Sequence, residues 1–240
     1  MPSPIAFIIP ALNEEAALAP MLDGLRAALD AATCADAPII VVDNGSRDAT
    51  AAVARKHGAR VISEPRRGYG QACLAGLAAL PAETGILVFL DADGSDDPED
   101  LLRLLAPVRN GVADLALGSR TTAAKSTGAF TLQQAFGNWV ATRLMRLLFG
   151  ARYTDLGPFR VIRRESLERL QMQDTNFGWT IEMQIKAHRR GLRVLEIPVN
   201  YRPRIAGESK ISGNFVGTIR AGWKILWIIA KYGLLSGRPD

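Results

Sequence analysis

Five short apolar runs, each released into a polar loop and then a helical stretch, set the limits on what this chain can fold into. PIAFII (4–9), PIIVVD (38–43), ARVIS (59–63), GILVFLD (85–91) and ADLALGS (113–119) have the length and β-branched content of strands. Residues 14–31, 48–57, 69–80 and 99–108 carry helix formers, and Asn13, Ser46 and Asp97 stand where helix caps are expected. Strands this apolar, joined by crossover helices, predict an α/β fold of Rossmann-like type: a mostly parallel sheet with helices on both faces. Ligands of such sheets bind beyond the carboxyl ends of the strands.

Each of those ends is polar: PALNEE (10–15), DNGSRD (43–48), EPRRGYG (64–70), DADGSDD (91–97) and GSR (118–120). The fourth is the most charged, with six carboxylates between Asp91 and Asp100 in a chain of net charge +5. Asp91 and Asp93 are one residue apart, so in an extended segment their side chains point the same way. Two like charges so placed call for a cation between them, and a hard divalent ion completed by substrate phosphate oxygens, Mg²⁺ or Mn²⁺, is the expected partner. Asp96, Asp97, Glu99 and Asp100 read instead as a helix start, where negative charge offsets the helix dipole.

Other classes of site find little support. Cys34 and Cys73 lie far apart with no ligand-spaced neighbours, and His57 and His188 are isolated, so neither a zinc site nor a disulfide framework is expected. At 240 residues with 48% hydrophobic content, one α/β unit with an appendage is the natural plan. No nucleic-acid partner is expected.

The ordered set PALNEE, VVDNGSRDAT, RRGYGQA, DADG, GSR, TDLGPFR (154–160), GWTIEMQIKA (178–187) and RPRIAGESKISG (202–213) resembles the family-2 glycosyltransferases. Within that family it is most similar to the dolichol-phosphate mannose synthases and related polyprenyl-phosphate glycosyltransferases. The resemblance runs from about residue 4 to residue 213 and implies a GT-A fold, a UDP- or GDP-sugar donor and a divalent metal. Carried over by motif, Pro10, Ala11, Asn13 and Glu14 line the nucleotide pocket, Asp43 and Asn44 contact base and ribose, and Gly68 and Gly70 let backbone approach the nucleotide. Asp91, Ala92 and Asp93 form the metal and diphosphate segment, with Asp91 and Asp93 as ligands. Many relatives have two Asp where this chain has Asp43-Asn44.

By the same resemblance, Arg120, Arg160, Arg204 and Lys210 are expected to contact anions, and a planar guanidinium suits a phosphate. Asp155 and Glu182 fall where relatives carry acids near the reacting sugar, although a helix carboxylate paired with Lys186 is the competing reading of Glu182. Three functions follow. The first is inverting transfer of a sugar to a polyprenyl phosphate, an anion that needs no base. The second is transfer to a hydroxyl with Asp155 as base, and the third is a catalytically silent nucleotide-sugar binding module. Asp93, Asp155, Arg120, Arg204 and Lys210 are the expected catalytic set.

Residues 213–240 are expected to form a separate amphipathic helix and tail beside a glycosyltransferase domain at 1–212. From about residue 214 to 235, Arg220, Lys224 and Lys231 fall on one stripe and Val216, Ile219, Trp223, Leu226, Trp227 and Ala230 on a broad apolar face. Such a helix suits a membrane interface, and packing on the sheet or on a partner subunit is its alternative. The opening MPSPIAFIIP lacks a basic n-region. A cytoplasmic protein held peripherally on the cytoplasmic face of the membrane is therefore expected, with a homo-oligomer also open.

Overall fold

A computed structural model describes residues 4–121, 132–206 and 215–234. Its sheet has seven strands: β1 (Ile5–Ala11), β2 (Ile39–Asp43), β3 (Arg60–Ser63), β4 (Ile86–Phe89), β5 (Leu115–Ser119), β6 (Arg160–Arg163) and β7 (Val194–Pro198). They lie in the order β3-β2-β1-β4-β6-β5-β7. β6 runs antiparallel to both of its neighbours, and every other pairing is parallel. The reversal brings the TDLGPF segment, which enters β6, to the same edge as the loops that leave the parallel strands.

β1 shows why an apolar run without alternation makes a central strand. Ile5, Phe7 and Ile9 pack on one side with α1 (Glu15–Ala31) and α4 (Leu101–Arg109). Ala6 and Ile8 pack on the other with α3 (Tyr69–Ala78), α6 (Arg164–Leu170) and α7 (Trp179–Arg189). Both faces are buried, so both residue parities are apolar. Gly76 of α3 is required by this closeness: a Cβ there would meet Ile8 at 2.6 Å and Val42 at 3.1 Å.

The cap expectations divide. Asp97 accepts from the backbone of Glu99 and opens a single 3-10 turn, Pro98–Asp100, ahead of α4. Asn13 and Ser46 are not caps. The amino ends of α1 and α2 (Thr50–Lys56) cap each other instead: Asp48 accepts from the Glu15 amide, and Glu15 accepts from the Ala49 amide. A third cluster joins α5 (Leu132–Phe149), α7 and α8 (Phe215–Leu234), with Ala141, Met145, Ile181, Ile185, Ile228, Ile229 and Tyr232 buried together. Among the described residues, no helix is long and apolar enough to cross a membrane.

Candidate active site

The loop after β1 is locked to the loop after β2. Asn13, left-handed at φ 52°, accepts from the Arg47 amide at 2.8 Å and donates from its own amide to Ser46 at 3.0 Å. Pro10 and Ala11 end β1, where Ala11 pairs with Asp43 and its carbonyl accepts from the Asn44 amide. Asp43 accepts from the Ser46 amide at 2.9 Å. Asn44 is buried and serves the scaffold: its amide donates to the carbonyls of Glu64 and Arg66 at 2.9 and 2.7 Å, and its oxygen accepts from the Gly68 amide at 2.8 Å. An aspartate could not make the first two bonds. That accounts for the Asp-Asn sequence here.

Gly68 and Gly70 are present for a different neighbour from the one expected. A Cβ on Gly68 would stand 2.1 Å from the Thr175 carbonyl oxygen, and one on Gly70 would stand 2.0 Å from that of Asp174. The 174–176 backbone therefore backs this loop, and the Gln71 amide bonds the Thr175 carbonyl at 2.8 Å. Asp174 is in turn held by Lys224 of α8 at 2.8 Å. Glu182 accepts from the amides of Gln173 and Asp174, from Lys186 and from the Tyr232 hydroxyl, each within 3.1 Å. Its competing reading, a buried helix carboxylate paired with Lys186, describes this geometry.

Beyond β4 the chain turns at Ala92-Asp93 and does not continue as the expected extended segment. Ala92 packs into the core between Asp91 and Asp93. Asp93 accepts from the Ser95 amide at 2.9 Å and from Arg204 at 2.6 Å, and the other Arg204 nitrogen reaches Glu14 at 2.5 Å. Asp91 has one buried oxygen without a hydrogen-bond partner. Burial and the nearby charge of Asp93 push its carboxyl up to about 7, against a hydrogen bond from Tyr69. Asp96 departs from its expected role as a helix-start charge. It is buried, has an unpartnered oxygen, bonds the Asp91 amide at 3.2 Å, and is pushed well above the carboxylate range by burial and by Asp91 and Asp93. Asp97 and Asp100 do keep to the helix start, paired with Arg202 and Arg103.

These orphaned carboxylate oxygens are the test of fit for a divalent cation. Half-buried Asp91 and buried Asp96, each with an oxygen that no protein donor answers, suit a hard ion. Among the described residues, no group of three or more acid, His or Cys side chains forms a ready-made metal cage. A Mg²⁺-type site that borrows ligands from a diphosphate does not require one.

Beyond β5, Arg120 clasps Asp155, with Nε to Oδ2 and Nη2 to Oδ1 both at 2.8 Å. Its guanidinium also lies 5.0 Å over the ring of Tyr201, whose backbone bridges Asp96. Asp155 further accepts from the amides of Arg120 and Leu156, so both oxygens are saturated. Arg160 is not placed to meet an anion. It is 1% exposed, donates to the carbonyls of Gly157 and Thr180 and to Gln184, and burial lowers its pKa to about 10. Lys210 lies outside the described residues. Sequence reasoning missed Asp96 and Tyr201 as members of this edge; for Asp96 the crowding of acids from Asp91 onward was the available signal.

Comparisons with known proteins agree with this geometry. Residues 6–171 match the model of Glycosyl transferase family 2. An uncharacterised glycosyltransferase of Mycobacterium bovis is 39% identical, over 92% of this chain and 97% of that protein. The undecaprenyl-phosphate mannosyltransferase of Micrococcus luteus is 32% identical over 88% of each. Glucosyl-3-phosphoglycerate synthase of Mycobacterium tuberculosis, solved with Mn²⁺, UDP and glucosyl-3-phosphoglycerate, superposes with TM-score 0.75 at 25% identity, covering 99% of this chain and 81% of that one. With its mostly parallel sheet and polar carboxyl edge, the chain belongs to glycosyltransferase family 2, has the GT-A fold, and resembles the polyprenyl-phosphate glycosyltransferases.

Proposed function

We propose that this glycosyltransferase moves a hexose from a nucleoside diphosphate sugar to a polyprenyl phosphate at a membrane surface, with inversion. The observation that carries the acceptor assignment is the saturation of Asp155. All four of its acceptor positions are taken by Arg120 and Leu156, so it has no lone pair with which to take a proton from a hydroxyl. What the edge offers an incoming group is positive charge, from Arg120, Arg204 and, by motif, Lys210. A phosphate monoester is already an anion and needs only to be steered and held.

On the donor side, Pro10, Ala11, Asn13, Glu14 and Asp43 border the nucleotide, while Asn44, Gly68 and Gly70 hold the shape of that pocket. Asp91 and Asp93 would hold Mg²⁺ or Mn²⁺, which neutralises charge on the departing diphosphate when bound. The relative solved with Mn²⁺ and UDP supports that reading. The protein's own share is to place the donor, keep water from the sugar and supply cations to the leaving oxygen.

The test offers the purified full chain UDP-glucose, GDP-mannose or UDP-GlcNAc with Mn²⁺ and, as acceptor, a short polyprenyl phosphate, the matching polyprenol, or 3-phosphoglycerate. The expected result is transfer to the polyprenyl phosphate alone, abolished by Asp93→Asn. Equal transfer to the polyprenol would overturn the acceptor assignment, and turnover by Asp93→Asn without added metal would overturn the donor assignment.

A further inference from the structure

α5 and α8 bury one face each in the same cluster and leave the opposite faces lined with large apolar side chains. Leu132, Phe136 and Trp139 of α5 are 88%, 67% and 55% exposed, and Trp223, Leu226 and Trp227 of α8 are 72%, 40% and 46% exposed. The spacings i, i+4, i+7 and i, i+3, i+4 make each set a single stripe. Exposed apolar area on this scale marks an interaction surface.

The charges say which. Neither helix contains an Asp or Glu, while Arg143 and Arg146 stand on α5 and Lys224 and Lys231 on α8. The cations sit on the aromatic rings: Arg143 lies 5.5 Å over Trp139, and Lys231 lies 5.4 Å over Trp227. Tryptophan with an adjoining cation, on an apolar face free of acids, matches the headgroup boundary of an anionic bilayer. A second copy of the chain fits less well, because a two-fold axis would set these cations against themselves with no carboxylate on either helix to answer them.

We propose that α5 is a membrane-contacting helix in its own right, its Leu132, Phe136 and Trp139 stripe forming with Trp223, Leu226 and Trp227 of α8 one surface that seats on an anionic bilayer. This rests on the reading of a membrane-borne acceptor and deepens it, because α5 is tied to the catalytic edge. From its inner face Asn138 donates to the Thr154 carbonyl at 2.9 Å and accepts from the Leu156 amide at 3.0 Å, bracketing Asp155. Seating α5 on the bilayer thus brings the Arg120–Asp155 clasp toward the lipid headgroups.

The experiment is co-sedimentation of the full chain with phosphatidylglycerol-containing vesicles and with pure phosphatidylcholine vesicles. It compares the parent with Phe136→Ser/Trp139→Ser and with Arg143→Glu/Arg146→Glu, α8 being untouched. A fall in anionic-vesicle binding of about tenfold or more is expected for both. In a Trp223→Phe/Trp227→Phe background, brominated acyl chains should quench Trp139 while buried Trp179 reports an intact fold. Parent-like vesicle binding by both α5 variants, or absent quenching, overturns the proposal. So does a parent that ignores vesicles and sediments as a dimer broken by Phe136→Ser/Trp139→Ser. Transfer to a short, dispersed polyprenyl phosphate without vesicles should stay within about twofold in the α5 variants. Vesicle binding without any transfer in the parent would sink the acceptor reading and leave the surface standing.

Discussion

Arg120 holds Asp155 through the Nε–Nη2 edge of its guanidinium and again by its own backbone amide, three bonds at 2.8 Å to one carboxylate that is wholly buried. The side chain of Asp155 therefore fixes where a cation stands. Asp155→Asn leaves Arg120 buried without a countercharge and should cost about 3–5 kcal/mol in urea unfolding. Transfer should fall with it, but the pH–rate profile should keep its shape. A profile that loses its acidic limb in the variant would restore Asp155 as a general base.

Asn44→Asp restores the pair of acids that many relatives carry, and here it should harm the protein. A carboxylate would face the carbonyls of Glu64 and Arg66 that the amide now satisfies. The expected loss is about 1–3 kcal/mol, read from the urea midpoint. A neutral result would mean that the 64–68 loop is free to turn away.

Asp91 sets a pH dependence with a definite sign. Its folded carboxyl is raised to about 7, above the value of about 4 in an unfolded chain. The stability it contributes is thus fully present below about pH 4 and lost as pH rises through about 7. Without added donor or metal, Asp91→Asn should raise the melting temperature at pH 8 and leave it unchanged at pH 4 while removing transfer. A variant less stable than the parent at pH 8 would show that the charge is compensated.

Gly70→Ala should be the more damaging of two small changes in the same loop region. Its Cβ meets the Asp174 carbonyl oxygen at 2.0 Å, and Asp174 is itself held, by Glu182 at its backbone amide and by Lys224 at its side chain. Gly45→Ala, where the nearest atom is the mobile end of Arg67 at 3.5 Å, suffers mainly from its positive φ, at about 1 kcal/mol. Thermal melts of both, with and without a UDP-sugar, check the order.

The parallel half of the sheet was legible because strands buried on both faces are written as unbroken apolar runs. β6 was not, since RVIR presents an arginine at each end, and the acceptors around Arg160, two backbone carbonyls and Gln184, make its burial tolerable. β7 is half-buried at the sheet edge, and its VLEIP gives a weak signal. In the site, the strand-end residues could be named from the sequence, but their partners were invisible. Asp96 read as one more acid before a helix because its neighbour Tyr201 comes from more than a hundred positions later. Asn44, Gly68 and Gly70 read as nucleotide contacts when their polar and steric partners belong to the chain itself.

Arg204, lodged between Glu14 and Asp93, would on the proposed reading give the site a threshold for entry. Any occupant that needs either carboxylate must displace two charge-assisted bonds from one planar group. A stray phosphate or a nucleoside monophosphate returns too few contacts to make that exchange favourable, whereas a complete sugar nucleotide engages base, ribose and diphosphate together. On the proposed reading, the arginine screens out fragments: free phosphate and nucleoside monophosphates compete poorly, and the pocket is reserved for ligands that carry the whole nucleoside diphosphate.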